Sequence, residues 1–345
     1  MSEKQVKVGK VLIGGAHIPV QSMLCADPHD AAACLAQIAA LEQAGCEIVR
    51  LTVPDEEAAR VFAAVREKTD LPLVADIHFD HRLALAAIEA GADKIRINPG
   101  NIGGAEKIKA VADAARRKNI PIRVGVNSGS LEPSVLKKYG KVCPEALCES
   151  ALYGASLLER YDFGEIVISV KSSDVRTTVA ANRLLRERTK YPLHIGVTEA
   201  GTVQSGIIKS AAGIGALLVD GIGDTIRVSL TADPVEEVYA AKRLLRSLGL
   251  LPGPQIISCP TCGRTKVDLV SLAEEVERML ALSDKPLTVA VMGCAVNGPG
   301  EAKNADIGLA GGEGEYLLFS GGRIIRKVKA EQALAALKEE IDKRE

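Results

Sequence analysis

The runs EIVRLTV (47–53), PLVADIHF (72–79), KIRINPG (94–100), IRVGVNS (122–128) and EIVISVKSS (165–173) decide the fold. Each is short, rich in β-branched residues and followed by a stretch of helical composition. Three more complete the series: IPVQSM (18–23), LHIGVTEAG (193–201) and DTIRVSL (224–230). The helical stretches lie near 30–44, 56–68, 81–90, 105–118, 144–161, 175–189, 206–217 and 234–248. Strands alternating with helices make parallel βαβ units. Eight such units in about 230 residues make a TIM (β/α)8 barrel. A doubly wound sheet is the rival, and the lack of a GxGxxG after the first strand counts against it.

Side chains of a strand alternate between its two faces. One face of these runs holds Val49, Leu51, Val53, Ile95, Ile97, Val124, Val126, Ile168 and Val170, and is expected to pack on the helices. The other holds Arg50, Thr52, Asp76, His78, Arg96, Asn98, Arg123, Asn127, Ser169 and Lys171. It points into the barrel and gathers charge near the C-terminal strand ends, where TIM barrels place their chemistry. Arg50, Arg96, Arg123 and Lys171 converge on one mouth. Guanidinium forks suit phosphate oxygens, so a ligand with more than one phosphate is expected. Asn98, Asn127 and Ser229 can add neutral hydrogen bonds. Asp76 and His78 can bind a hydroxyl or relay protons, and Glu199, in TEAG, is placed for general acid–base work. The plainer readings are a buried Arg96–Asp76 ion pair, a salt bridge from Glu199 to an arginine and a structural His78. His17, His29, His81 and His194 receive no specific role.

The barrel is expected to occupy residues 1–250, with SLGLLPGPQ (247–255) as linker. Residues 251–345 read as a small α+β domain. Its order is strand 255–258, helix 270–282, strands 287–292 and 306–310, a hairpin of 315–319 and 323–328 turning at Gly321-Gly322, and helix 331–344. ISCPTCGRT and MGCAVNGPGEA place Cys259, Cys262 and Cys294 in this domain. Three thiolates at this spacing are a soft-metal site. Structural zinc usually closes with four cysteines, or with three cysteines and a histidine. No cysteine follows Cys294 and no histidine follows His194, so neither set is completed locally. An iron–sulfur cluster with one oxygen ligand fits better, and Glu301 is the nearest candidate. The CxxxCxxC of radical S-adenosylmethionine enzymes is absent. Cys25, Cys34, Cys46, Cys143 and Cys148 lie in apolar or alanine-rich stretches and read as packing residues.

The chain has 345 residues, 47% of them hydrophobic, enough for a large and a small domain. A net charge of −1 and 3% aromatics without tryptophan speak against nucleic acid. No run approaches the apolar length of a membrane span. MSEKQVKVGKVLIGG is not a signal peptide, so a cytoplasmic protein with reduced thiols is expected. The eighth helix runs antiparallel to the strands and returns the chain to the end of the barrel opposite its mouth. At about 24 Å for about 16 residues, a short linker does not bring the last domain back. A head-to-tail homodimer, each mouth capped by the partner's cluster domain, is the simplest closed solution.

The segments VRLTVP, ADIHFD, KIRINPGNIG, IRVGVNSGSLE, SVKSSD, GVTEAG, GDTIRVSL, ISCPTC and VMGCAVNGPGEA together resemble the 4-hydroxy-3-methylbut-2-enyl diphosphate synthase family, IspG or GcpE, in colinear order along nearly the whole chain. The resemblance implies reduction of 2-C-methyl-D-erythritol 2,4-cyclodiphosphate, with ring opening and loss of a hydroxyl as water, on the non-mevalonate route to isoprenoids. It implies two electrons from reduced flavodoxin or ferredoxin through a [4Fe–4S] cluster held by Cys259, Cys262, Cys294 and Glu301. It implies that Arg50, Arg96, Arg123, Lys171 and Ser229 hold the diphosphate, that Glu199 is a proton donor and that Asn297 reaches the site from the cluster domain. The plant-type form has a further large domain, for which this chain has no room. A metabolite-binding barrel with a redox-sensing or zinc-stabilised C-terminal module is the alternative.

Overall fold

The computed structural model describes residues 2–281, 283, 285–294 and 302–344, with the backbone alone at 99 and 100. The chain forms two compact units, Met1–Leu248 and Gly249–Glu345.

The first unit begins with a hairpin of β1 (Val6–Val8) and β2 (Val11–Ile13). Eight barrel strands follow: β3 (Gln21–Met23), β4 (Ile48–Thr52), β5 (Leu73–Asp76), β6 (Lys94–Ile97), β7 (Ile122–Asn127), β8 (Ile166–Lys171), β9 (His194–Ile195) and β10 (Thr225–Ile226). β3 to β8 form one parallel sheet in sequence order, and β9 pairs in parallel with β10. A bridge between Ile168 and Leu193 joins β8 to β9, and one between Val20 and Ile226 joins β10 to the start of β3, so the ring closes. The Ile226 N–H and the Thr225 hydroxyl both donate to the Pro19 carbonyl, at 3.1 and 3.0 Å. This is the expected TIM barrel.

Five of the eight helices of the outer ring start at an aspartate cap. Asp30, Asp55, Asp80, Asp174 and Asp233 accept backbone N–H groups of the first turns of Ala31–Gln43, Glu56–Arg66, His81–Glu89, Val175–Arg188 and Pro234–Ser247. Ala105–Lys118, Pro144–Glu159 and Val203–Val219 complete the ring. A short helix, Pro133–Tyr139, follows β7 and was not expected. The apolar strand face is fully buried, with Val49, Ile95, Ile97, Val124, Val126, Ile168 and Val170 all at 0% exposure.

The N-terminal hairpin is a second feature the sequence reading passed over. Val6, Val8 and Ile13 pack on Ile48, Val74 and Val167, near the N-terminal ends of three barrel strands. The hairpin thus plugs the end of the barrel away from the charged mouth. Its signal is the alternation VKV-GK-VLI across a two-residue turn.

The second unit is a five-stranded sheet in the order β11 (Gln255–Ser258), β12 (Thr288–Met292), β13 (Ile307–Gly311), β14 (Glu315–Ser320), β15 (Arg323–Lys329). The first three strands are parallel and the last two add antiparallel. Val289, Val291, Ile307, Leu309 and Leu318 pack on Leu272, Val276 and Leu280 of helix Leu269–Ala281 and on Leu337 and Ile341 of helix Ala333–Asp342. Among the described residues no helix is long and apolar enough to cross a membrane.

If the hairpin plugs the barrel, Val8→Ala should cost about 2 kcal/mol and lower Tm by about 4–8 °C. Thermal unfolding followed by circular dichroism checks this, and an unchanged Tm would show that the hairpin is an ornament of the fold.

Candidate active site

The inward faces of the barrel strands bring the expected cations together. Arg50, Arg96, Arg123, Asn127, Ser169, Lys171 and Ser229 line one cavity of about 110 Å³, joined by Gly125, Thr198 and Arg227. Register explains the grouping. Arg50 lies opposite Val74 of β5, Asp76 of β5 opposite Arg96 of β6, and Arg96 opposite Arg123 of β7. In a parallel ladder such neighbours point the same way.

Asp76 is the counter-ion of this crowd. Its two oxygens accept from Arg50 Nη2 at 2.6 Å and Arg96 Nη1 at 3.1 Å, and His78 Nε2 stands 3.1 Å away. Burial alone would raise the Asp76 pKa. The charges of Arg50 and Arg96 outweigh it and hold the carboxyl at about 2. The ion pair of Arg96 with Asp76, the plainer of the two sequence readings, is therefore present, and Arg50 shares it. His78 remains half exposed, and burial lowers its pKa more than Asp76 raises it.

Asp76 pairs with Arg50 and Arg96 and Glu237 with Arg227, whereas Arg123 and Lys171 form no ion pair among the described residues. Burial, followed by like charge, lowers the Arg50 pKa to about 10 and pushes Arg123 and Lys171 well below their ordinary values. Arg123 is 2% exposed, yet among the described residues its Nε and Nη1 have no hydrogen-bond partner, and neither do Arg50 Nε and Arg96 Nε. Buried donors without acceptors are costly, and the arrangement suits an anion rich in oxygen. Gly125 leaves room for the Arg96 guanidinium that lines the cavity: a Cβ there would stand 2.6 Å from Arg96 Nε.

Some expected residues sit elsewhere. Asn98 is buried and donates to the Ser130 carbonyl at 3.3 Å, outside the lining of the cation cavity. Glu199 is exposed and takes part in no ion pair or side-chain hydrogen bond recorded among the described residues, so the expected alternative of a salt bridge to an arginine is not realised. Its backbone has φ +52°, the left-handed region, which costs a glutamate about 1 kcal/mol or more. Its neighbour Thr198 lines the cavity.

Sequence reading missed Arg227, Glu237, Lys94 and His194. Glu237, from helix Pro234–Ser247, clamps Arg227 at 3.1 and 3.0 Å and also accepts from the Ser22 hydroxyl and the Leu230 N–H. Lys94 is fully buried, 3.5 Å from Gln21 Oε1. Alternation carried one step further from Arg96, from Ser229 and from Thr198 would have pointed Lys94, Arg227 and His194 inward. Glu237 lies on a helix and carried no such signal.

In the second unit, β11 and β12 run parallel with Ser258 opposite Val291. Their C-terminal ends therefore deliver Cys259 and Cys294 side by side. Cys259, Cys262 and Cys294 line one cavity of about 190 Å³ with Pro260, Arg264, Thr265, Met292 and Gly293. The Gly293 N–H donates to Cys259 Sγ at 3.2 Å, as it would to a thiolate. The Arg264 N–H, then the Arg264 side chain, lowers the Cys262 pKa. The Thr265 N–H closes a turn onto the Cys262 carbonyl at 3.0 Å. Three sulfur donors around one hollow fit a thiolate-held metal or cluster. Among the described residues no three Cys, His, Asp or Glu side chains already stand close enough to hold a metal ion. Glu301 and Asn297 lie outside the described residues.

A barrel with a cationic, oxyanion-seeking mouth, followed by an α+β unit that presents three thiols to one hollow, defines a class of two-unit proteins that handle phosphorylated ligands. Residues 3–242 match the model of the GcpE TIM-barrel domain and residues 255–343 that of the GcpE protein C-terminal domain, and the chain belongs to the GcpE family. It is 56% identical over 342 residues to the 4-hydroxy-3-methylbut-2-en-1-yl diphosphate synthase (flavodoxin) of Caldanaerobacter subterraneus subsp. tengcongensis, covering 99% of this chain and 96% of that one. The protein of the same name from Clostridium acetobutylicum is 55% identical, with 98% of each covered. Among solved structures, dihydropteroate synthase from Stenotrophomonas maltophilia superposes with a TM-score of 0.51 at 17% identity, over 72% of this chain and 100% of that one. A type I 3-dehydroquinate dehydratase from Clostridium difficile gives 0.52 at 14%, over 71% of this chain and 97% of that one. These two show a shared barrel fold.

The Asp76 pKa of about 2 lies below its ordinary 3.8. Its ion pairs therefore contribute stability that is present above about pH 4 and is lost as pH falls through about 2. Asp76→Asn should lower stability at pH 7 by about 3 kcal/mol, because it strands two guanidinium groups, and should flatten the loss between pH 4 and 2. Urea midpoints across that range check this, and parallel curves for the two proteins would contradict it.

Proposed function

We infer that this chain makes 4-hydroxy-3-methylbut-2-en-1-yl diphosphate by two-electron reduction of 2-C-methyl-D-erythritol 2,4-cyclodiphosphate, on the non-mevalonate route to isoprenoids. The observation that carries the reading is the set of orphaned buried guanidinium donors at the barrel mouth, in a chain 55–56% identical to synthases of that name. Opening the ring breaks a carbon–oxygen bond to phosphate and turns a diester into a monoester, which adds a negative charge to the diphosphate. A hydroxyl leaves as water with a proton. Arg50, Arg96, Arg123, Arg227 and Lys171 surround the space where that charge grows. Donors aimed at charge that develops during a reaction lower its barrier as well as holding the ground state. Asn127 and Ser229 add neutral contacts in the same cavity. Asp76 keeps Arg50 and Arg96 aimed, His78 beside Asp76 is a further contact for the substrate, and Asn98 would join them only by leaving the Ser130 carbonyl.

Glu199 is the proposed proton donor. Its carboxylate is exposed, and a strained backbone next to Thr198 sets its position. Cys259, Cys262 and Cys294, with Glu301 as the oxygen ligand, would hold a [4Fe–4S] cluster, and Asn297 would serve the substrate from the same domain. When bound, the cluster supplies electrons one at a time at low potential. Reduced flavodoxin, named in the relatives, or ferredoxin is the donor in this reading. Thiolates that must stay reduced suit a cytoplasmic protein. Helix Pro234–Ser247 runs away from the mouth, which supports a head-to-tail homodimer as the active form.

Anaerobic reconstitution with iron and sulfide should give a brown protein with broad visible absorption, and Cys294→Ser should lose that colour. Zinc without iron would overturn the cluster. With dithionite and a viologen mediator the wild type should turn over the cyclodiphosphate. Glu199→Gln should lose turnover while keeping affinity within several-fold, and full activity would remove it as proton donor. Arg123→Ala should raise KM by about tenfold or more, since it deletes a charge-assisted contact. Sedimentation should show a dimer, and an active monomer would refute the shared site.

A further inference from the structure

Three buried polar groups on the barrel strands have no task in the reading above: Gln21, Lys94 and His194. His194 stands out because it touches the cation cavity through another residue. Its Nε2 lies 3.2 Å from Lys171 Nζ, both side chains are buried, and its Nδ1 has no partner among the described residues.

The contact fixes the chemistry of the ring. A protonated imidazole carries a donor on each nitrogen, and two donors do not share a hydrogen bond. With Lys171 as the ammonium, His194 is neutral, its proton is on Nδ1, and Nε2 offers its lone pair to the amine. The surroundings favour the neutral ring: burial first, then the charges of Lys171, Arg123, Lys94 and Arg50.

A second surface holds the same amine. Gly196 follows β9 directly, two residues on from His194, and its open side is also turned to Lys171. A Cβ on Gly196 would stand 2.5 Å from the Arg227 carbonyl oxygen, 2.8 Å from Lys171 Nζ and 3.2 Å from its Cε. The amine therefore lies over bare backbone with the imidazole beside it, and it lines the cation cavity. Such a slot answers a physical problem. A lysine is a flexible point charge. Burial, and next Arg123, Arg227 and Arg50, disfavour its ammonium, while Glu237 opposes them. An amine in that crowd tends to lose its proton or swing away unless an acceptor holds it.

We propose that His194 is the positioning residue of Lys171: its neutral imidazole and the bare Gly196 backbone form a slot that aims the Lys171 amine at the diphosphate in the barrel mouth. The ligand in this statement rests on the functional reading above; the slot itself does not.

Inorganic diphosphate, titrated calorimetrically into the full chain, is the probe. His194→Phe keeps the volume and removes the acceptor, and should weaken binding about tenfold. His194→Gln restores an acceptor near the Nε2 position and should recover affinity to within about threefold. In a Lys171→Met background, His194→Phe should cost nothing further. Wild-type affinity in His194→Phe, or the same loss with and without Lys171, would overturn the proposal. Nitrogen-15 NMR of the imidazoles needs no His194 variant and so survives a misfolded one. It should show a neutral, Nδ1-protonated ring between pH 6 and 8 whose Nε2 signal shifts in Lys171→Met. An Nε2-protonated ring, or a signal indifferent to Lys171, would sink the contact. A wild-type protein that ignores diphosphate overturns the functional reading and the ligand proposed here, and the NMR result still decides the slot.

Discussion

Buried positive charge is the constraint around which the barrel is arranged. Arg50, Arg96, Arg123, Lys171 and Arg227 share one small cavity, and Asp76 and Glu237 are the carboxylates that meet them. An uncompensated buried cation costs several kcal/mol, so every neighbouring choice serves to make this one tolerable. Asp76 takes two guanidinium groups on its two oxygens. Glu237 reaches in from a helix to hold Arg227 and, through Ser22 and Leu230, the strand ends beside it. Among the described residues several guanidinium N–H groups remain unpaired, and these donors support the proposed diphosphate ligand.

Such a mouth needs a stiff frame. Strand pairing in sequence order from β3 to β8, with bridges closing β8 to β9 and β10 to β3, fixes neighbouring cations by register and not by side-chain preference. The apolar hairpin packs on three strands at the opposite end. Small residues set the clearances: Gly125 admits the Arg96 guanidinium and Gly196 admits the Lys171 amine. The same economy operates in the second unit. Two parallel strands carry Cys259 and Cys294, far apart in the chain, to adjacent ends, and the turn from Cys262 to Thr265 folds the third thiol onto the same hollow.

Repeated short runs with strict alternation made the eight barrel strands and the inward cations legible in the sequence, because a strand's two faces are decided by parity alone. The order of elements in the last hundred or so residues and the grouping of three thiols were legible too, from turn residues and cysteine spacing. Tertiary structure alone decided which charges compensate which. Asp76 became the counter-ion of Arg50 and Arg96, Asn98 turned to the Ser130 carbonyl, and Glu237 arrived from a helix whose sequence advertises only a solvent-facing acid. His194 reads as an ordinary strand residue until the fold sets it 3.2 Å from Lys171. The physical reason is that periodicity is a local property of the backbone. Pairing, burial and proton affinity depend on distances across the barrel, which exist only once the ring has closed.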